Sequence, residues 1–257
     1  MGIPKEIPPV LKTGVDVSRG ASFAVADTSI LGNSETSMTL NQQVNIFRSI
    51  KSNWTDDFIG RSLFMIYIGT EDYLNFTKNK FNADARHPCS ALQAFVISAI
   101  NQLKIDINLL HSLKASKFAI QLLAPLGCLP ISRQEYKTGN ECYEPLNDLV
   151  KQHNEKIGPM LHDLAKKKLP VFSSPSLIST TLLFVGQIVF YVSNTSCCGV
   201  GTHDAYGCGM VNVHSKLCEY QRAYFFFDGR HNTEKAQEEF AHLISGADTN
   251  CWNCILD

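Results

Sequence analysis

Residues 63–72 read Leu63-Phe64-Met65-Ile66-Tyr67-Ile68-Gly69-Thr70-Glu71-Asp72. Six apolar residues in a row, ended by a glycine, predict a short buried strand that runs into a turn. The pattern then changes period. Leu92, Val96, Ala99, Leu103, Ile107 and Leu110 fall on one stripe of a long amphipathic helix. A second apolar run at residues 117–123 (Lys-Phe-Ala-Ile-Gln-Leu-Leu) predicts the next strand, stopped by Pro125-Leu126-Gly127. Strands without apolar/polar alternation, separated by helices, predict an α/β fold with a mostly parallel sheet covered on both faces.

The same reading extends outward. Residues 20–32 mix small and apolar residues and predict strand and turn. Leu40, Val44, Phe47 and Ile50 recur at helical spacing, as do Leu146, Leu149, Val150, Ile157, Met160, Leu161 and Leu164. Gly158-Pro159 is expected to bend or interrupt that second helix. Tyr224-Phe225-Phe226-Phe227 predicts a late strand. Ala236, Phe240, Leu243 and Ile244 mark the inner face of a last helix, capped by Asn232 or Thr233. Residues 177–192 are apolar but shorter than the roughly 20 residues a bilayer span needs, so a buried strand or helix is expected there.

Composition excludes some functions. The 257 residues are 44% hydrophobic and 18% charged, with a net charge of −1. No basic stripe points to nucleic acid, and no transmembrane segment is expected. Nine cysteines are many for a cytosolic enzyme of this size, and six lie between residues 197 and 254. They predict disulfides in an oxidising compartment rather than zinc, because Cys251-x-x-Cys254 has no partner pair at finger spacing. Three N-x-S/T triplets, at Asn53, Asn75 and Asn194, agree with passage through the secretory pathway. Residues 1–6 form no signal peptide, having no apolar stretch.

Chemistry concentrates in two strand ends. Asp228 and His231 stand three apart after the late strand. In a hydrolytic triad an acid orients a histidine, which takes the nucleophile's proton. The plainer reading is a turn in which Asp228 accepts backbone N–H bonds. Glu71 and Asp72 follow the strand at 63–68; as an acid/base pair they compete with a reading as one loop anchor and one solvated carboxylate. In a parallel sheet both strand ends can belong to one cleft. His203 and His214 read as surface histidines on a disulfide-held loop rather than metal ligands. No Ser lies in a G-x-S-x-G context and no glycine-rich phosphate loop is present, so no cofactor is expected.

The blocks Gly20-Ala21-Ser22-Phe23-Ala24, Gly69-Thr70-Glu71-Asp72, Pro125-Leu126-Gly127-Cys128-Leu129-Pro130, Cys197-Cys198-Gly199 and Asp228-Gly229-Arg230-His231 occur in one order. Together they resemble the plant GDSL esterase/lipases of the SGNH hydrolases, over nearly the whole chain except about residues 169–192. Residues 52–56, 68–76 and 226–235 look like the myrosinase-associated and epithiospecifier-modifier branch. The resemblance implies a single domain over 1–257, a three-layer α/β/α sandwich with a flavodoxin-like sheet. It implies a serine in a G-D-S block, oxyanion donors from a glycine and an asparagine, and the Asp-x-x-His pair. It also implies a role beside myrosinase or a related β-glucosidase in glucosinolate breakdown, in the extracellular space, vacuole or an endoplasmic-reticulum body.

The chain departs from that pattern at the decisive places. The 257 residues hold no G-D-S block, and residues 1–12 look like the segment that follows it, so a truncated domain without its N-terminal strand is expected. Where the family carries the second-block glycine, Ala26-Asp27 stands; where it carries G-x-N-D, Gly69-Thr70-Glu71-Asp72 stands. A carboxylate accepts hydrogen bonds and repels an oxyanion, where an asparagine donates. Positions 27, 69 and 71 are thus the oxyanion positions, Asp228 and His231 the triad remnant, and a catalytically silent protein is expected. The alternative is an active ester hydrolase whose serine lies upstream. For disulfides, Cys128 with Cys142 and a pair within Cys197, Cys198, Cys208 and Cys218 are expected.

Overall fold

The computed structural model describes residues 7–32, 38–80, 89–166, 171–173 and 190–245. In chain order the helices are α1 (Leu40–Ile50), α2 (Asp56–Arg61), α3 (Thr70–Lys80), α4 (Cys89–Ser112), α5 (Pro130–Tyr136), α6 (Glu144–Ala165) and α7 (Glu234–Ser245). The strands are β1 (Leu63–Ile66), β2 (Lys117–Ile120), β3 (Val171–Ser173), β4 (Val192–Ser196), β5 (Cys198–Gly199), β6 (Lys216–Leu217) and β7 (Tyr224–Phe226). The fold is α/β, and three of these strands' four pairings are parallel. The chain divides into two compact units, residues 1–121 with 152–173, and residues 122–151 with 174–257.

The first unit is built on a parallel sheet in the order β1-β2-β3, with Leu63 opposite Lys117 and Phe118 opposite Val171. Helix α1 starts at a capping box: Thr39 Oγ1 accepts the Gln42 N–H, and Gln42 Oε1 accepts the Thr39 N–H. Its Leu40, Val44 and Phe47 are buried, and so is the α4 stripe of Val96, Ala99, Leu103, Ile107 and Leu110. Asp106 of α4 is fully buried; it accepts from Asn41 Nδ2 of α1 at 2.7 Å and from Gln102 Nε2 at 3.1 Å. Burial pushes its carboxyl above the usual range, which those bonds partly offset.

The second unit pairs β4 with β7 in parallel and β5 with β6 antiparallel. Phe225 of β7 packs edge-on against Phe190 and against Phe240 of α7, at centroid distances of 5.3 and 5.9 Å. Thr233 caps α7: its Oγ1 accepts the Ala236 N–H and donates to the Tyr224 carbonyl.

Four expectations change. Residues 20–32 form no named strand; they join their surroundings by single bridges, Ser22 to Pro9 and Ser29 to Thr39. Strand β1 is not buried on both faces, because Leu63 and Met65 are 54% and 67% exposed while Ile66 between them and the helix is buried. Of the bend or interruption expected at Gly158-Pro159, the interruption does not occur: α6 continues through Pro159. Its missing N–H costs one intrahelical bond, but the buried Ile157, Met160, Leu161 and Leu164 hold the helix on the core. His203 is buried, not a surface residue, since its Nδ1 pairs with the Asn194 carbonyl at 2.9 Å. Residues 177–189 and Cys251-x-x-Cys254 lie outside the described residues. Among the described residues no helix is long and apolar enough to cross a membrane.

Candidate active site

In the second unit β7 ends at Phe226 and the chain turns before α7. That turn carries the acid and the histidine. His231 Nδ1 lies 2.9 Å from Asp228 Oδ1 and 2.8 Å from Oδ2. Asp228 Oδ1 also accepts the backbone N–H groups of Arg230 and His231, each at 2.8 Å. The carboxylate thus organises its own turn and also contacts the imidazole. Burial raises the Asp228 carboxyl, but the bonds from the His231 ring and the two backbone N–H groups outweigh it and hold it below its ordinary value. An ionised Asp228 accepts from Nδ1–H, which leaves Nε2 as the lone-pair nitrogen a general base needs. The His231 side chain is 73% exposed and that of Asp228 24%, so the ring faces solvent on a sunken acid.

This turn is braced from behind. The Cys197 and Cys198 N–H groups donate to the carbonyls of Phe226 and Phe227, at 3.0 and 2.7 Å. These two cysteines are bonded to Cys218 and Cys208 respectively. Gly229 lies so close to the Ala205 carbonyl that an added Cβ would sit 2.2 Å from its oxygen. The Ile131 N–H, at the start of α5, donates to the Gly229 carbonyl at 3.0 Å. The block at residues 125–130 supplies that helix start and is closed by the Cys128–Cys142 disulfide. Buried Arg133 of α5 donates to the Cys128 carbonyl at 2.9 Å and to the Asn140 carbonyl.

The residues expected at the oxyanion positions, Asp27, Gly69 and Glu71, lie in the first unit. Asp27 is exposed in a turn and has φ 57°, in the left-handed region that glycine adopts most readily. Aspartate is one of the few other residues found there regularly. Gly69, after β1, is buried with φ 120°, and its carbonyl accepts the Tyr73 N–H at 3.2 Å. Glu71 is half-buried in the first turn of α3, where an acid suits the helix dipole.

Asp72 is the loop anchor. It is fully buried; Oδ2 accepts the Ile30 N–H at 2.7 Å and Oδ1 the Leu31 N–H at 2.9 Å. One carboxylate thus ties the start of α3 to the segment just after Asp27. Desolvation raises the Asp72 carboxyl to about 6, helped by the charge of Glu71 and opposed by bonds from the backbone N–H groups of Ile30, Leu31 and Asp72 itself. Its neighbour Tyr73 is also buried and meets His153 of α6, OH to Nδ1 2.8 Å. Burial lowers the His153 imidazole to about 4, so it is neutral, and pushes the Tyr73 phenol up. The sequence offered no signal for the Tyr73–His153 pair, whose members are 80 positions apart.

Of the three N-x-S/T triplets, Asn53 is exposed at the end of a short 3-10 helix. Asn75 sits inside α3 and its Thr77 is buried, donating to the Tyr73 carbonyl. Asn194 lies in β4 with its amide on Asn140 Oδ1, and its Ser196 is buried. Among the described residues no cluster of His, Cys, Asp or Glu could hold a metal ion.

The model of the GDSL-like lipase/acylhydrolase family matches residues 1–244. The chain belongs to that family. It is 67% identical over 255 residues to GDSL esterase/lipase ESM1 of Arabidopsis thaliana, covering 94% of this chain and 63% of that protein. It is 62% identical over 259 residues to inactive GDSL esterase/lipase-like protein 23 of the same plant, covering 97% and 66%. A third Arabidopsis thaliana relative, GDSL esterase/lipase 22, is 60% identical over 259 residues, covering 97% and 65%. The chain thus spans about two thirds of the length of these GDSL relatives. One of them is named inactive and others are named esterase/lipase at similar identity, so likeness alone does not decide activity.

Proposed function

We propose that this is a GDSL esterase/lipase-like protein of weak or no hydrolytic activity, which acts by binding. Its setting is glucosinolate breakdown in plant defence, beside myrosinase or a related β-glucosidase. The observation that carries the reading is Glu71 at the start of α3, where the resemblance places an oxyanion asparagine. Without that donor, turnover falls by about 10²–10³. Its carboxylate would face the developing negative charge with its own. The family model over 1–244 supports one domain. Three disulfides and the exposed Asn53 support passage through the secretory pathway.

The test uses the purified, intact chain. Labelling by a fluorophosphonate probe and hydrolysis of a p-nitrophenyl ester report the serine chemistry; co-purification with a β-glucosidase reports binding. Absent or slow turnover together with co-purification supports the proposal. Turnover equal to that of an active GDSL esterase measured alongside overturns it.

The second reading is an active carboxylic-ester hydrolase. It is favoured by the Asp228–His231 contact, which is built to hold an imidazole as a base.

A further inference from the structure

We propose that Gln134 is a positioning residue for the Asp228–His231 pair. It sits on α5, whose first turn already holds the Gly229 carbonyl through the Ile131 N–H. Its side-chain amide reaches into the loop that follows β5 and uses both ends. Oε1 accepts the His203 N–H at 2.9 Å and the Ala205 N–H at 3.4 Å, and Nε2 donates to the Val200 carbonyl at 3.2 Å. Gly201, with φ 101°, makes room for it: a Cβ there would lie 2.2 Å from Nε2.

The loop held this way presents the Ala205 carbonyl to Gly229. Gly229 is therefore fixed from two sides, by the Ile131 N–H on its carbonyl and by the Ala205 backbone against its Cα. Its neighbour Asp228 bonds the Arg230 and His231 N–H groups and the His231 ring, so a shift of Gly229 is a shift of the acid relative to the ring. Gln134 touches neither catalytic group. It sets where the loop stands, and the loop sets the turn. The Cys198–Cys208 disulfide closes this loop covalently but leaves the nine residues between its ends to be placed by hydrogen bonds.

The idea rests on reading Asp228 and His231 as an acid–base pair. The test reads the imidazole itself, so the loss of that reading through absent turnover leaves this test standing. The intact chain is labelled with ¹⁵N and the His231 ring tautomer is measured at about pH 8, where an ordinary imidazole is neutral. The wild-type ring is expected to be mainly Nδ1–H, because Asp228 accepts there. Gln134→Met keeps the length of the side chain and removes both its acceptor and its donor; the Nε2–H to Nδ1–H ratio should rise by about twofold or more. Gln134→Glu keeps the acceptor for the His203 and Ala205 N–H groups but sets a carboxylate oxygen against the Val200 carbonyl, so its ratio should fall between wild type and Gln134→Met. A wild-type ratio in Gln134→Met overturns the proposal, as does a Gln134→Glu ratio as displaced as that of Gln134→Met. If Gln134→Met does not fold, Gln134→Asn, one methylene short, takes its place under the same criterion.

Discussion

Asp72 Oδ2 accepts the Ile30 N–H at 2.7 Å, and through that bond a buried carboxylate fixes the segment next to Asp27. One residue on, Tyr73 binds the buried His153. Asp72 and His153, the partner of its neighbour Tyr73, are both buried in the first unit, and their titrations act on stability with opposite signs.

The Asp72 carboxyl is raised to about 6 from 3.8, so the unfolded chain loses that proton first and stability falls as pH rises from about 4 to about 6. The His153 imidazole is lowered to about 4 from 6.5, so the unfolded chain gains a proton first and stability is lost as pH falls from about 6.5 to about 4. Each is worth roughly 3 kcal/mol at full extent. The pair should nearly cancel, giving a flat melting temperature across pH 4–6.5. Asp72→Asn should unmask a rise in stability with pH, and His153→Gln a fall. Melting curves of the three proteins check this; parallel pH profiles would refute it.

Where the protein turns over a p-nitrophenyl ester, Glu71→Asn should raise kcat by about 10²-fold with little change in KM. No gain would mean that position 71 is not an oxyanion position.

Gly229→Ala should destabilise by about 1–3 kcal/mol, because its Cβ would lie 2.2 Å from the Ala205 oxygen and backbone must move. Gly158→Ala is the control. It lies within α6 with nothing within 4 Å of its Cβ, and should stabilise by about 0.5–1 kcal/mol. Denaturant titration measures both.

Replacing Cys197 and Cys218 by serine opens a loop of 21 residues and should cost about 3 kcal/mol. Opening the 10-residue loop of Cys198 and Cys208 should cost slightly less. Equilibrium unfolding of each double variant orders the two; a larger loss from the shorter loop would contradict the entropic account.

Expressed through the secretory pathway of plant cells, the protein should carry glycan at Asn53 and not at Asn75 or Asn194. The Asn75 and Asn194 triplets have their hydroxyl residues Thr77 and Ser196 buried in regular structure. Peptide mapping after enzymatic deglycosylation decides it. Occupancy at Asn194 would require β4 to give up its bond to Asn140.

The elements were legible where a single period ran long enough. The stripe from Leu92 to Leu110 marks α4, and 117–123 contains β2, because burial on one side imposes its spacing on the chain. The acid and histidine of the turn before α7 were visible for a similar reason, being three residues apart. Residues 20–32 misled: small and apolar residues suit a strand, but pairing needs a partner edge, and this segment finds single bridges and the Asp72 carboxylate.

The sequence by itself determined the family, the parallel α/β pattern, and the departures at Asp27 and Glu71, because each is a matter of residue type at a local position. Tertiary structure alone decided which carboxylate of Glu71 and Asp72 is the anchor and that Asp27 takes a left-handed turn. It also decided that Tyr73 meets His153 and that Gln134 braces the loop against Gly229. These depend on burial and on contacts between residues tens of positions apart. Hydrogen-bond partners and desolvation exist only once the chain has folded, so no local spacing encodes them.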